Sequence, residues 1–185
     1  MIILASASPR RAELLKKIIK RFKIIPSRLN EAEIFGTTPE DFAVKAALAK
    51  AEEVALQHRK GLVIGADTIV VLGKKILGKP KSPRDAVATL KKLSGKTHKV
   101  ITGIAVIDAA TSRARADYET TAVKMKKIPE REIRDYVKTG KPLDKAGSYG
   151  IQEIEEIFIA GIKGDYDNVV GLPTRKLKAL LQKMR

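Results

Sequence analysis

The chain opens on a short apolar run, Met1-Ile-Ile-Leu4, and turns polar through Ala5-Ser-Ala-Ser-Pro-Arg-Arg11. Four apolar residues with two isoleucines predict a short buried strand, and Ser8-Pro9 predicts an N-cap followed by proline at the first helical position. The helix is expected over about residues 9–21, with a strand at 22–25 and a polar segment at 27–38. Thr38-Pro39-Glu40-Asp41 carries the capping-box pattern and opens a helix to about residue 58, its apolar stripe at Phe42, Ala46, Ala49 and Val54. Residues 62–72, Leu-Val-Ile-Gly-Ala-Asp-Thr-Ile-Val-Val-Leu, form the strongest predicted strand. Gly73-Lys74-Lys75 predicts a hairpin turn into Ile76-Leu77, which Gly78-Lys79-Pro80 then leaves. Ser82-Pro83-Arg84-Asp85 repeats the helix start, with an end near residue 93. Paired strands are expected at 99–108 and 116–126, and a helix at 129–139 that Gly140 stops. Residues 145–152 read as a glycine-punctuated loop, 158–162 as a strand, 164–168 as a turn and 174–184 as a closing helix. Strands and helices alternate early and hairpins follow, which predicts an α/β or α+β domain on a mixed sheet.

The 185 residues, 44% of them apolar, suit a single domain with a sizeable core, or one domain with a modest lobe. No apolar run approaches the roughly 20 residues of a membrane span, and the N-terminal run is too short for a signal peptide, so a cytoplasmic protein is expected. There is no cysteine, and the two histidines, His58 and His98, stand far apart, which excludes a disulfide framework, thiolate chemistry and a zinc pattern. Any metal must be held by oxygen. The net charge of +16 favours an anionic partner, but it is spread along the chain. With 4 Phe, 4 Tyr and no Trp, base-stacking platforms are few. Charge alone does not choose between a small phosphate ligand and a polymer.

Four places carry candidate chemistry. Arg10 and Arg11 fall in the first turn of a predicted helix, where unpaired N–H groups and the positive dipole favour an acid instead. Either an anion such as phosphate sits there, matched to N–H groups and planar guanidiniums, or both side chains point into water; the residues leave the two readings even. Asp67 is the one acid inside the strongest strand, and a carboxylate there is costly unless a cation or donors meet it, which makes it the first catalytic candidate. Lys50 flanks the apolar stripe of its helix, and Lys79 projects from a stiff loop. Gly95-Lys96-Thr97 is not the end of a P-loop, because position 90 is Leu where that motif needs Gly. No Rossmann fingerprint and no G-x-S-x-G elbow occurs.

Taken together, Leu4-Ala-Ser-Ala-Ser-Pro-Arg-Arg11, Glu31, Leu48-Ala-Lys-Ala51, Gly65-Ala-Asp-Thr68, Gly78-Lys-Pro80, Leu93-Ser-Gly-Lys-Thr-His98, Thr102-Gly103, Pro142-Leu-Asp-Lys-Ala-Gly147, Tyr149-Gly-Ile-Gln152 and Asn168-Val-Val-Gly-Leu-Pro173 resemble the Maf family of nucleoside triphosphate pyrophosphatases. Any one of these could arise by chance; the ordered set, spread over the whole chain, is specific. The resemblance implies one domain over residues 1–185, an α/β fold with a mixed β-sheet and flanking helices, related to the inosine triphosphate pyrophosphatases, with two lobes around a cleft. It implies a cytoplasmic, homodimeric enzyme that cleaves a nucleoside triphosphate to the monophosphate and pyrophosphate with a divalent cation, Mg²⁺ or Mn²⁺.

In the roles the resemblance implies, Asp67 is general base or metal ligand for the attacking water, and Glu31 shares the metal. Ser8, Arg10, Arg11, Lys50 and Lys79 hold the phosphates, while Arg10, Thr68 and Gln152 set the base. A subgroup acting on 7-methyl-GTP has Trp, Gln and Glu at those three positions; the set found here resembles the subgroup acting on dTTP and UTP, some members of which also take CTP or modified pyrimidine nucleotides. The Gln152 amide can pair with the donor and acceptor on a uracil or thymine edge. Two positions depart from the family pattern: Asn30 stands where Asp is usual, and Glu153 where Gly is usual. The rival readings are a basic nucleic-acid-binding or cell-division regulatory protein, and a phosphatase that releases orthophosphate.

Overall fold

The computed structural model describes residues 1–30 and 33–184; Glu31 lies outside the described residues. The helix starts are written in the caps. Ser8, Thr38 and Ser82 each accept the N–H of the residue three further on, from Arg11, Asp41 and Asp85, and proline occupies the first turn in all three helices.

In chain order the elements are β1 (Ile2–Leu4), α1 (Pro9–Lys16), β2 (Lys23–Ile24), α2 (Pro39–Ala55), β3 (Leu62–Leu72), β4 (Lys75–Leu77), α3 (Pro83–Leu93), β5 (Thr97–Asp108), β6 (Ala114–Met125), α4 (Glu130–Lys138), α5 (Ile151–Phe158), β7 (Ile159–Lys163), α6 (Tyr166–Val170) and α7 (Thr174–Gln182). Among the described residues the strands form one mixed sheet in the order β2-β1-β3-β5-β6-β7, with β4 paired to β3. β1 runs parallel to both β2 and β3, whereas β3–β4 and β6–β7 are antiparallel. The α/β fold on a mixed sheet is thus as expected.

The chain divides into two compact units. The first holds Met1–Thr68, Ile101–Glu119 and Asp167–Arg185; the second holds Ile69–Val100 and Thr120–Tyr166.

In the first unit α2 lays a face of small side chains on the sheet: Ala47, Ala51, Val54 and Ala55 pack against Ile3, Ala5, Val63, Ala105 and Ile107. The buried face of α2 is Ala43, Ala46, Ala47, Ala51, Val54 and Ala55, so the stripe is rotated from the expected one, and Phe42 and Ala49 sit at its half-buried rim. A helix that meets strands through alanines approaches more closely than bulky side chains permit, which pushes the large ring outward.

In the second unit α3 packs on α4, burying Leu90, Leu93, Ile133 and Val137. His98, on β5, is 2% exposed and its Nε2 lies 2.6 Å from the Tyr149 hydroxyl. Burial pushes the imidazole down from 6.5 to about 4. The unfolded chain therefore takes up a proton near pH 6.5 that the folded chain refuses until about 4, so stability falls as pH drops through that window. The expected loss is about 3 kcal/mol at its full extent. His98→Gln removes this component, so the difference in unfolding free energy between the two proteins changes by that amount between the two pH values; a pH-independent difference would contradict it.

Four elements differ from expectation. α1 stops at Lys16, before the β-branched pair Ile18-Ile19, and β2 spans two residues only. The glycine-punctuated loop ends early: α5 occupies Ile151–Phe158, and its neighbour strand begins at Ile159. Ile151, Ile154 and Phe158 are its buried face, a helical spacing present in the sequence but masked by the glycines before it. α6 replaces the turn expected near residues 164–168.

Candidate active site

The arrangement follows from two periods. Along β3 successive side chains alternate between faces, so Val63, Gly65 and Asp67 share the face covered by α2, and Thr68 takes the other. Along α2, Lys50 stands one turn from Ala46, Ala47 and Val54, all buried against the sheet. Lys50 therefore meets Asp67: Nζ donates to Oδ1 at 2.6 Å, with the two side chains 12% and 8% exposed. Such a desolvated pair is held by its geometry, and removing Lys50 leaves the Asp67 carboxylate buried without this donor.

β1 ends at Leu4, opposite Ile64, and the Ala5 N–H donates to the Ile64 carbonyl at 2.8 Å, so residues 5–8 run beside the segment that carries Asp67. The N-terminus of α1 consequently follows the carboxyl end of β1, while β3 runs on past it and carries Asp67 and Thr68. Its first turn holds no acid. The Ser8 hydroxyl accepts the Arg11 N–H at 3.4 Å, and the Ser8 N–H donates to Ser6 Oγ at 3.2 Å. The cap uses the Ser8 lone pair and not its proton.

The two arginines part company. Arg11 donates through Nε to the Gly171 carbonyl at 2.9 Å, through Nη1 to Ser6 Oγ at 3.2 Å and through Nη2 to Thr68 Oγ1 at 3.0 Å. Arg10, half-buried beside it, makes no hydrogen bond or ion pair among the described residues. Thr68 Oγ1 also lies 3.0 Å from Thr102 Oγ1, whose proton goes to the Asn168 carbonyl at 3.0 Å.

Of the residues singled out in the sequence, Ser8, Arg10, Arg11, Lys50, Asp67 and Thr68 all lie in the first unit. Lys79 and Gln152 belong to the second. Lys79 is exposed between β4 and α3; Gln152 is exposed in the first turn of α5, on a helix where a loop was expected. Glu153 accepts from the Tyr136 hydroxyl at 2.8 Å and pairs with the buried Lys145 at 3.2 Å. Ser6, Thr102 and Asn168 were not found as members of the site by sequence reasoning: Thr102 and Asn168 meet only through a contact 66 residues apart, and Ser6 joins through Arg11, whose orientation is set by Gly171 and Thr68. Among the described residues no group of three or more His, Asp or Glu stands ready for a metal ion, and no helix is long and apolar enough to cross a membrane.

An N-capped helix with two arginines in its first turn follows β1, and a buried carboxylate–ammonium pair joins α2 to β3, all in the first unit of an α/β fold. The chain belongs to the Maf-like protein family, whose model matches residues 1–184. It is 47% identical over 182 residues to a dTTP/UTP pyrophosphatase of Clostridioides difficile (strain 630), covering 98% of this chain and 94% of that one. A dTTP/UTP pyrophosphatase of Ruminiclostridium cellulolyticum is 48% identical over 185 residues, covering 99% and 95%. Among solved structures the Staphylococcus aureus Ham1 protein shares the fold, with a TM-score of 0.56 at 16% identity, covering 100% of this chain and 99% of that chain.

Proposed function

We propose that this protein is a nucleoside triphosphate pyrophosphatase that hydrolyses dTTP and UTP to the nucleoside monophosphate and pyrophosphate. The observation that carries the reading is the Lys50–Asp67 pair at 2.6 Å, next to the arginine-bearing start of α1. The names of relatives 44–48% identical supply the substrate class.

Cleavage at the α-phosphorus needs the phosphate charge offset and a water aligned for in-line attack. Arg10 binds the phosphates through its guanidinium and its own N–H, and Arg11, its plane set by Gly171, Ser6 and Thr68, adds charge from a preset direction. Lys50 holds Asp67 by Oδ1, which leaves Oδ2 to orient the attacking water and take its proton. Lys79 and Gln152 keep the phosphate-binding and base-reading roles the family resemblance assigns them. The donor chemistry also fits a divalent cation: Mg²⁺ is commonly bound by one or two carboxylates together with substrate phosphates and waters, and Asp67 supplies one carboxylate. Asp67, with Glu31, would hold Mg²⁺ or Mn²⁺, and the bound ion would neutralise phosphate charge. A homodimer and a cytoplasmic location complete the reading, the first checked by sedimentation.

The test is a panel of nucleoside triphosphates with and without chelator. Consumption of dTTP and UTP, spared 7-methyl-GTP and arrest by chelation support the proposal; no turnover of any nucleotide would favour a binding protein. Within that panel Arg10→Ala raises KM for dTTP about tenfold and changes kcat less, because the guanidinium binds phosphate in ground and transition states alike. An unchanged KM would remove Arg10 from the site.

A further inference from the structure

We infer that Thr68 and Thr102 are positioning residues for Arg11, so that Thr68 acts on bound phosphates through that guanidinium. The inference rests on the pyrophosphatase reading for the identity of the ligand.

The direction of the hydrogen bonds carries the argument. A threonine hydroxyl has one proton. Thr102, fully buried, donates its proton to the Asn168 carbonyl at 3.0 Å. The proton in the 3.0 Å contact between the two threonines must then come from Thr68. Thr68 Oγ1 in turn accepts from Arg11 Nη2 at 3.0 Å. The result is a directed run from Arg11 through Thr68 and Thr102 to the main chain of α6. With its donor spent and one lone pair occupied, the Thr68 hydroxyl has nothing to offer a base carbonyl and a single lone pair for a base N–H. What it does offer is a fixed acceptor for a guanidinium. Gly171 and Ser6 supply two further acceptors, so residues from separate segments set the plane of Arg11 before any anion arrives. Thr68 also points to the face of β3 opposite Asp67, so its effect reaches the reacting centre only through the phosphates.

The experiment uses a probe with no base. Binding of tripolyphosphate to the full chain is measured by calorimetry for wild type, Thr68→Val, Thr68→Ala and Thr68→Ser, alongside kcat/KM for every nucleoside triphosphate that wild type turns over. Valine and alanine each weaken tripolyphosphate about tenfold and lower kcat/KM for every nucleotide, since one charge-assisted hydrogen bond is lost. Serine, which keeps the hydroxyl, stays within about twofold of wild type. Wild-type tripolyphosphate affinity in the valine and alanine variants, or a loss confined to pyrimidine nucleotides, overturns the inference, as does a wild type that does not bind tripolyphosphate. A wild type that binds tripolyphosphate but turns over no nucleotide sinks the pyrophosphatase reading instead, and the calorimetry still decides the positioning role.

Discussion

Asp67→Asn keeps the fold and loses at least about 100-fold in kcat, which is about 2.7 kcal/mol of transition-state stabilisation. Asparagine has nearly the volume of aspartate, and its amide oxygen can still accept from Lys50 Nζ, now paired to Oδ1 at 2.6 Å. What it cannot do is take a proton from water or bind a cation with a charged oxygen. The variant matters as much as the position. Asp67→Ala would take a buried acceptor away from the Lys50 ammonium and destabilise the fold, and its inactivity would then have two causes. Steady-state turnover of Asp67→Asn, read together with a melting curve that matches wild type, isolates the chemical role; wild-type turnover in the folded variant would remove Asp67 from the mechanism.

Gly65→Ala lowers stability by about 3 kcal/mol and costs activity as well, although the residue touches no substrate. Gly65 sits two residues before Asp67 on the α2 face of β3, and a Cβ there would overlap the carbonyl oxygen of Ala47. The obstacle is helix backbone, which cannot swing aside as a side-chain end can. Gly103, on β5, stands in the same relation to the Ala43 carbonyl. The two glycines let the alanine face of α2 rest on the strands at backbone distance, and that approach is what brings Lys50 to Asp67. Adding a methyl at residue 65 moves the helix outward and draws Lys50 away, so kcat falls about tenfold or more even where the variant is folded. A drop in melting temperature of about 10 °C accompanies it. A variant that melts with wild type would show that α2 does not depend on the close approach.

These two effects also mark how far the residues speak for themselves. The start of α1 was legible because Ser8 and Pro9 encode it locally, and Asp67 stood out as a lone acid in an apolar strand. Lys50 was legible as a flank of an apolar stripe, but its partner was not. Gly65 and Gly103 look in the sequence like ordinary strand glycines; only the packing of α2 gives them their meaning. Arg11 is the sharpest case. Its pairing with Gly171 spans 160 residues, and its pairing with Thr68 spans 57, so nothing local distinguishes it from Arg10. α5 was missed for a different reason: Gly147 and Gly150 pull the reading toward a loop, while the buried positions Ile151, Ile154 and Phe158 follow the helical period.

The most direct test of the account is the fate of the attacking oxygen. Wild-type protein with Mg²⁺ and dTTP in ¹⁸O-labelled water is expected to yield pyrophosphate and thymidine monophosphate, with the label in the monophosphate, as attack at the α-phosphorus requires. Release of orthophosphate, or label appearing in pyrophosphate, would contradict it.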